Sequence, residues 1–196
     1  NAAMAKRQLA EFSQEKLDVI VEGMLDAVTA HLEELAMCSH EETGYGNVED
    51  KIAKNYFVCE SVRQQLRHMK CVGFIEEDAD AFMMKVGVPL GVIAALVPST
   101  NPVSTTIFSA VIAIKAGNAI IFSPHPRAKK TISRTLDILI KAARGHGMPE
   151  HGISYLHAVD REGSNTLIGR PEVNLILNTG VLSFLDEANR SGKPLI

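Results

Sequence analysis

Apolar residues recur at steps of three and four through Leu17, Val21, Met24, Val28, Leu32 and Leu35, the period of a helix with one buried stripe. Ser13 stands where an N-cap is needed, Phe12 and Leu17 have the spacing of a hydrophobic staple, and Gly44 and Gly46 supply the stop. One long helix is expected. A second stripe, Val48, Ile52, Cys59, Val62 and Leu66, keeps Lys51, Arg63 and Arg67 mostly off its face and predicts a helix paired with the first. At Cys71 the period shortens. Residues 71–75 and 82–88 are β-type runs around the acidic Glu76-Glu77-Asp78, which predicts a hairpin turning on that triplet.

Beyond the hairpin, strand-like runs at 91–97, 119–122, 153–157 and 173–177 alternate with helical patterns at 102–116, 129–143 and 164–169. The strands are apolar throughout rather than alternating, as in a parallel sheet covered by helices on both faces. The expected fold class is α/β: a Rossmann-like parallel sheet over 71–196, preceded by an amino-terminal helical segment over 1–70. Ligands in such folds bind beyond the carboxyl ends of the strands. That rule singles out the loops Pro98-Ser99-Thr100-Asn101-Pro102, Ser123-Pro124-His125-Pro126 and Asn178-Thr179-Gly180.

The 196 residues are 46% hydrophobic and 22% charged with a formal net charge of -3, a composition with no global attraction for nucleic acid. The longest apolar stretch, 86–97, is interrupted by Gly87, Pro89 and Gly91 and is shorter than the roughly 20 residues that cross a bilayer, so no membrane partner is expected. Cys38, Cys59 and Cys71 form no C-x-x-C pair and leave an odd thiol, which fits a reducing, cytoplasmic setting. Residues 1–3, ahead of Met4, belong to no apolar signal core and are read as a remnant outside the fold.

The two common phosphate loops are missing: G-x-G occurs only at Gly44-Tyr45-Gly46 and Gly145-His146-Gly147, both after helices, and G-x-x-x-x-G-K-[ST] does not occur. Asn101 sits at an N-cap position with Pro102 at N1. A plain helix cap is the simpler reading, and an amide donor for oxyanion charge is the functional one. Ser123-Pro124-His125-Pro126, stiffened by two prolines, reads equally as a ligand wall or a tight turn. Arg127, Lys129, Lys130 and Arg134 are expected as a solvated face. The cysteines read as buried structural thiols, and no His/Cys cluster supports a metal. The carboxylates Glu41, Glu42, Glu49, Asp50, Glu76, Glu77 and Asp78 gather near loops as solvated groups.

Several stretches carry a resemblance to known proteins. They are Glu42-Thr43-Gly44-Tyr45-Gly46-Asn47-Val48-Glu49-Asp50-Lys51, the segment from Pro89-Leu90-Gly91 through Asn101-Pro102, residues 117–129, residues 174–180, and Ser191-Gly192-Lys193-Pro194. On these the chain resembles the aldehyde dehydrogenase superfamily and, within it, the CoA-acylating acetaldehyde dehydrogenases, including the aldehyde half of bifunctional aldehyde-alcohol dehydrogenases. The resemblance implies an NAD-binding domain at 71–196 whose cofactor site is built from strand-end loops, in keeping with the missing fingerprint. It implies that Asn101 is the oxyanion-hole asparagine, and that Pro98, Ser99 and Thr100 face the cofactor. By the same resemblance Ser123, Pro124, His125 and Pro126 border the adenosine end, and Thr179 and Gly180 form the turn beside pyrophosphate and nicotinamide.

The implied reaction is reversible, NAD-dependent oxidation of a short aldehyde such as acetaldehyde, in which a cysteine thiolate attacks, hydride passes to NAD, and coenzyme A takes the acyl group. The implied cysteine lies beyond residue 196, so the chain alone is expected to be inactive and the longer protein to be a homo-oligomer. After Gly180 the family's glycine-rich turn is replaced by Val181-Leu182-Ser183-Phe184, whose bulk would crowd a backbone approach to pyrophosphate. Two rivals stand beside this reading: a non-catalytic nucleotide-binding or assembly module, and a reductase of acyl phosphates.

Overall fold

The computed structural model describes residues 1–196. Helices α1 (Ala2–Leu9), α2 (Gln14–Thr29), α3 (Leu32–Thr43), α4 (Val48–Phe57) and α5 (Arg63–Arg67) come first, the last two joined through a π-helical turn at Val58–Val62. An antiparallel hairpin of β1 (Gly73–Asp78) and β2 (Met83–Gly87) follows. The chain then alternates through β3 (Val92–Val97), α6 (Pro102–Lys115), β4 (Ala119–Pro124), α7 (Lys129–Gly145), β5 (Ile153–Tyr155), α8 (Arg161–Gly169) and β6 (Val173–Asn178), and ends on α9 (Leu185–Arg190) and an extended tail.

The last four strands form one parallel sheet in the order β5-β4-β3-β6, as the continuous apolar runs predicted. Helices α6 and α7 pack together, backed by α2 and α3, as right-handed crossovers running from β3 to β4 to β5 require; the return from β5 to β6 reverses direction, and α8 lies beside α1. Every residue of β3 is buried, and a single hydrophobic core runs from Ala2 to Ala188. In register, Leu96 lies beside Ser123 and Asn178, and Val97 beside Pro124. The three strand-end loops therefore emerge along one edge of the sheet. On the far side of β6, residues 194–196 run parallel to it, with Ile176 N donating to Pro194 O at 2.9 Å and Ile196 N to Ile176 O at 3.0 Å.

The expected long first helix is two. The Thr29 hydroxyl donates to Leu25 O at 2.7 Å, competing for a helical carbonyl, and His31 N closes a tighter turn on Val28 O at 2.9 Å. Leu32 and Leu35 are buried like Leu17 and Met24, so the apolar stripe crosses the break and the period does not register it. In the second helix the buried positions of α4 are Lys51 and Asn55 rather than Ile52, followed by Val58 and Cys59. Glu76, Glu77 and Asp78 are not the hairpin turn. They lie within β1, where Glu76 faces and pairs with Lys85, and the chain reverses at residues 79–82, closed by Ala81 N donating to Asp78 Oδ1 at 3.0 Å.

Residues 1–3 are part of the fold. Helix α1 starts at Ala2, buries Ala2, Ala5 and Leu9, and sends Lys6 Nζ to Asn174 Oδ1 at 3.1 Å. Of the three thiols only Cys59 is buried; Cys38 and Cys71 are partly exposed. Residues 71 and 72 precede β1 instead of starting it, because their amides donate to Gln14 Oε1 at 2.6 and 3.1 Å. No helix is long and apolar enough to cross a membrane.

Candidate functional site

A cleft of about 190 Å3 opens at the carboxyl ends of β3 and β4. Its floor is Leu96 and Val97, one wall is Ser123, Pro124, His125 and Pro126, and the start of α8 closes it with Asp160, Arg161 and Ser164. The remaining wall is Val181, Ser183 and Phe184, so three of the four residues that replace the expected glycine-rich turn line the cleft itself, and Leu182 is exposed. The wall is held from behind. Ser123 is buried, its hydroxyl meets that of Ser164 at 2.8 Å, and Ser164 in turn donates to Asp160 O at 2.9 Å. His125 Nδ1 accepts from Arg127 N at 3.1 Å, and burial, then the Arg127 charge, push the imidazole below its ordinary pKa. A neutral ring is what that hydrogen bond requires.

The turn after β6 is closed by Asn178, whose Oδ1 accepts from Val181 N at 3.3 Å while Nδ2 donates to Val181 O at 3.1 Å. Thr179 N donates to Leu96 O at 3.3 Å, and Gly180 takes φ +70°. Both residues are exposed at the sheet edge without lining the cleft; Pro98 and Ser99, which are buried, and Thr100, which is exposed, do not line it either. A larger hollow of about 550 Å3 lies between the start of α1 and α8 over Val92, Ile121, Leu156 and Leu167, and none of the strand-end loops reaches it.

Asn101 precedes α6 but does not cap it. Its side chain makes no hydrogen bond to the helix amides; Oδ1 instead accepts from Lys54 Nζ at 2.8 Å. The plain-cap reading is thus wrong, because a lysine of α4 outcompetes the amides for that oxygen. Lys51, one turn earlier, donates to Thr100 O at 3.2 Å. Burial first, then the Lys54 charge, lower the pKa of the Lys51 ammonium.

Glu42 also departs from expectation. Far from being a solvated loop carboxylate, it accepts from Lys130 N and Thr131 N, both at 2.7 Å, and from the Thr131 hydroxyl at 2.6 Å. An acid from α3 therefore satisfies the first turn of α7, where the helix presents unpaired N–H groups. Of the basic residues beyond Pro126, Arg134 pairs with Glu34 and Arg127 lies 5.7 Å from the Tyr45 ring. None of the three cysteines lines the cleft; Cys59 is pushed up to about 11 by burial, and burial also raises Cys71.

The sequence profile of the aldehyde dehydrogenase family matches residues 1–187. The chain belongs to the aldehyde dehydrogenase family. It is 40% identical over 98% of its length to the bifunctional aldehyde-alcohol dehydrogenase AdhE of Escherichia coli, of which it spans 22%. Among solved structures, a probable aldehyde dehydrogenase from Listeria monocytogenes superposes with a TM-score of 0.96 at 42% identity, and an acetylating aldehyde dehydrogenase from Geobacillus thermoglucosidasius with 0.95 at 39%. The chain is covered over 100% and 99% of its length in these two, and covers 43% of each. It thus spans less than half of the aldehyde dehydrogenases it resembles. More distant relatives at 27% identity and TM-score 0.82 include an engineered glycolyl-CoA reductase with bound NADP+ and a propionaldehyde dehydrogenase from Rhodopseudomonas palustris with bound CoA and an acylated cysteine. Those alignments cover 100% of this chain.

The sequence singled out the wall Ser123 to Pro126 and the loop that carries Asn101. It missed Glu42, Lys51 and Lys54 as members of the same neighbourhood. A lysine and an asparagine at positions 51 and 55, on the stripe that continues into Val58 and Cys59, were the available signal: polar groups on a buried helical face are placed there for a partner.

Proposed function

We propose that this chain is the cofactor-holding portion of an NAD-dependent, CoA-acylating aldehyde dehydrogenase that converts a short aldehyde such as acetaldehyde to its acyl-CoA. The observation that carries the reading is the cleft at the carboxyl ends of β3 and β4, with its wall of Ser123, Pro124, His125 and Pro126, in a chain that matches acetylating aldehyde dehydrogenases over nearly all its length. Its volume of about 190 Å3 is below that of a site for a whole drug-sized ligand, roughly 300 Å3 and up, and suits the adenosine end of a dinucleotide. Apolar Val97, Pro124, Pro126 and Phe184 fit a purine face, and His125 and Ser183 offer polar edges. Thr179 and Gly180, exposed on the same edge, are the residues assigned to the remainder of the cofactor, with Pro98, Ser99 and Thr100 beside them.

NAD supplies the hydride acceptor of such a reaction, and CoA carries away the acyl group as a thioester. The chain's own part is to hold the cofactor and to offer Asn101 Nδ2 as a donor to the substrate oxygen as charge develops there. In this reading the attacking thiolate comes from outside these 196 residues, in a homo-oligomeric cytoplasmic enzyme. Buried Cys59, whose pKa of about 11 keeps it protonated, fits that assignment.

The test is aldehyde-dependent NADH formation by the full-length protein, with and without CoA. Turnover that requires CoA supports the proposal; turnover without it places the enzyme in the hydrolytic branch, and dependence on phosphate instead makes it an acyl-phosphate reductase. Val181 and Phe184 in the cleft favour one rival, a non-catalytic nucleotide-binding or assembly module. Saturable NAD binding with no turnover under any of these conditions would establish that rival.

A further inference from the structure

An amide can turn either end toward a reacting centre, and only its nitrogen end stabilises an oxyanion. At Asn101 the neighbour decides which end is free. An ammonium donates and never accepts, so the atom that Lys54 Nζ meets at 2.8 Å must be the carbonyl oxygen. The hydrogen bond at Oδ1 is the one the Asn101 side chain makes within the protein, so the two N–H groups of Nδ2 are not used by it. The grip on the loop is double, because Lys51, three residues earlier on α4, holds the adjacent Thr100 carbonyl and is itself 8% exposed. The gap among Lys51, Lys54, Asn55, Asn101 and Ser104 has a volume of about 10 Å3, room for about one water at most. The cluster is a support for the loop, not a second ligand pocket.

We propose that Lys54 is a positioning residue for the reaction: by donating to Asn101 Oδ1 it fixes the amide with Nδ2 as the donor end, and its charge polarises that amide into a stronger donor. The electrostatic part follows from the cooperativity of hydrogen bonds in series, where a donor to the carbonyl strengthens the N–H on the other side. The inference deepens the proposed function and rests on the reading of Asn101 as the oxyanion donor. It assigns a positioning role to α4 at Lys54, three residues beyond the stretch from Glu42 to Lys51 on which the sequence carries its resemblance.

The experiment is steady-state, CoA-dependent oxidation of acetaldehyde by the full-length enzyme carrying Lys54→Met, Lys54→Arg, Asn101→Ala, or Lys54→Met with Asn101→Ala. Asn101→Ala is expected to lower kcat by roughly 10²–10³, the cost of one oxyanion-hole donor. Lys54→Met should lower kcat about tenfold with the KM for NAD and the melting temperature unchanged, a loss confined to the transition state. Arginine at position 54 should restore most of the rate. In the Asn101→Ala background, Lys54→Met should have no further effect, since nothing is left to position. A normal kcat for Lys54→Met beside a slow Asn101→Ala overturns the inference and leaves the Asn101 reading standing. Equal losses from Lys54→Met in both backgrounds overturn it too, by showing that the lysine acts elsewhere. A wild-type rate for Asn101→Ala removes the oxyanion reading and this inference together.

Discussion

Removing the Glu42 carboxylate should unlatch α7 from α3. Three donors converge on it: Lys130 N and Thr131 N at 2.7 Å and the Thr131 hydroxyl at 2.6 Å. They differ in what they lose. Lys130 is exposed, so its amide can turn to water, whereas Thr131 is fully buried: its amide would be stranded, and its hydroxyl would keep only the weak partner Cys38 Sγ at 3.4 Å. A buried donor without a partner costs about 1–3 kcal/mol, and the lost interaction of the charge with the helix dipole adds about 0.3–1 kcal/mol. Water entering the space of the deleted side chain offsets part of this. The expected destabilisation for Glu42→Ala is therefore about 2–4 kcal/mol. Glu42→Gln keeps one carbonyl oxygen but turns an NH2 group toward the remaining donors, and should cost about 1–2 kcal/mol. Urea unfolding gives both values, and hydrogen exchange at the amides of Lys130 and Thr131 should accelerate in both variants. Because α7 begins three residues after Pro126, the alanine variant should also bind adenine nucleotides more weakly than the glutamine variant. A stability within about 0.5 kcal/mol of wild type for Glu42→Ala, the range of an ordinary surface substitution, would refute the capping argument.

Three further outcomes follow from the same geometry. The Cys59 thiol is raised from an ordinary 9.0 to about 11, so the folded state keeps a proton that the unfolded state releases. Its contribution is whole below pH 9 and is lost as pH rises toward 11; between pH 8 and 10.5 the wild type should lose about 2 kcal/mol more than Cys59→Ala in urea titrations, and equal losses would refute the assignment. The lowered pKa of His125 has the opposite sense: below the ordinary 6.5 the unfolded chain binds a proton that the folded one refuses, so stability falls as pH drops from 6.5 toward the folded value. His125→Asn, which keeps an acceptor for Arg127 N, should flatten that acid slope, and an unchanged slope would place its origin elsewhere. Gly91 has φ +132°, and a Cβ there would collide with Asn174 Oδ1, which accepts from Val92 N at 2.9 Å and Lys6 Nζ at 3.1 Å. Gly91→Ala should cost about 2–4 kcal/mol and expose residues 1–9 to proteolysis; an unchanged melting temperature would show that the clasp between α1 and β6 contributes nothing.

What was legible in the sequence was what repeats. The four parallel strands announce themselves because burial on both faces leaves unbroken apolar runs, as in Val92–Val97, and the helices between them because one face in contact with the sheet imposes a period. Knowing that the strands are parallel already places the loops after β3, β4 and β6 on one edge, which is why the wall Ser123 to Pro126 could be named beforehand. The elements that went wrong are set by single side chains. One hydroxyl at Thr29 divides a helix whose apolar stripe is continuous, and one asparagine and one lysine tie α1 to the start of β3 and β6, so that Ala2 and Ala3, expected to be a remnant with Asn1, are drawn into a packed helix. The same reason hid the supports of the site. Glu42 lies 88 residues from the amide of Lys130, and Lys54 lies 47 residues from Asn101, so no local spacing links either pair. Periodicity encodes which face of an element is buried; which polar atom meets which across the core is decided only when the elements pack. The surroundings of Asn101 depend on that second kind of information: its sequence neighbours place it at the start of α6, and only the packed fold brings the lysine of α4 to its Oδ1, leaving Nδ2 as the end turned away from the ammonium.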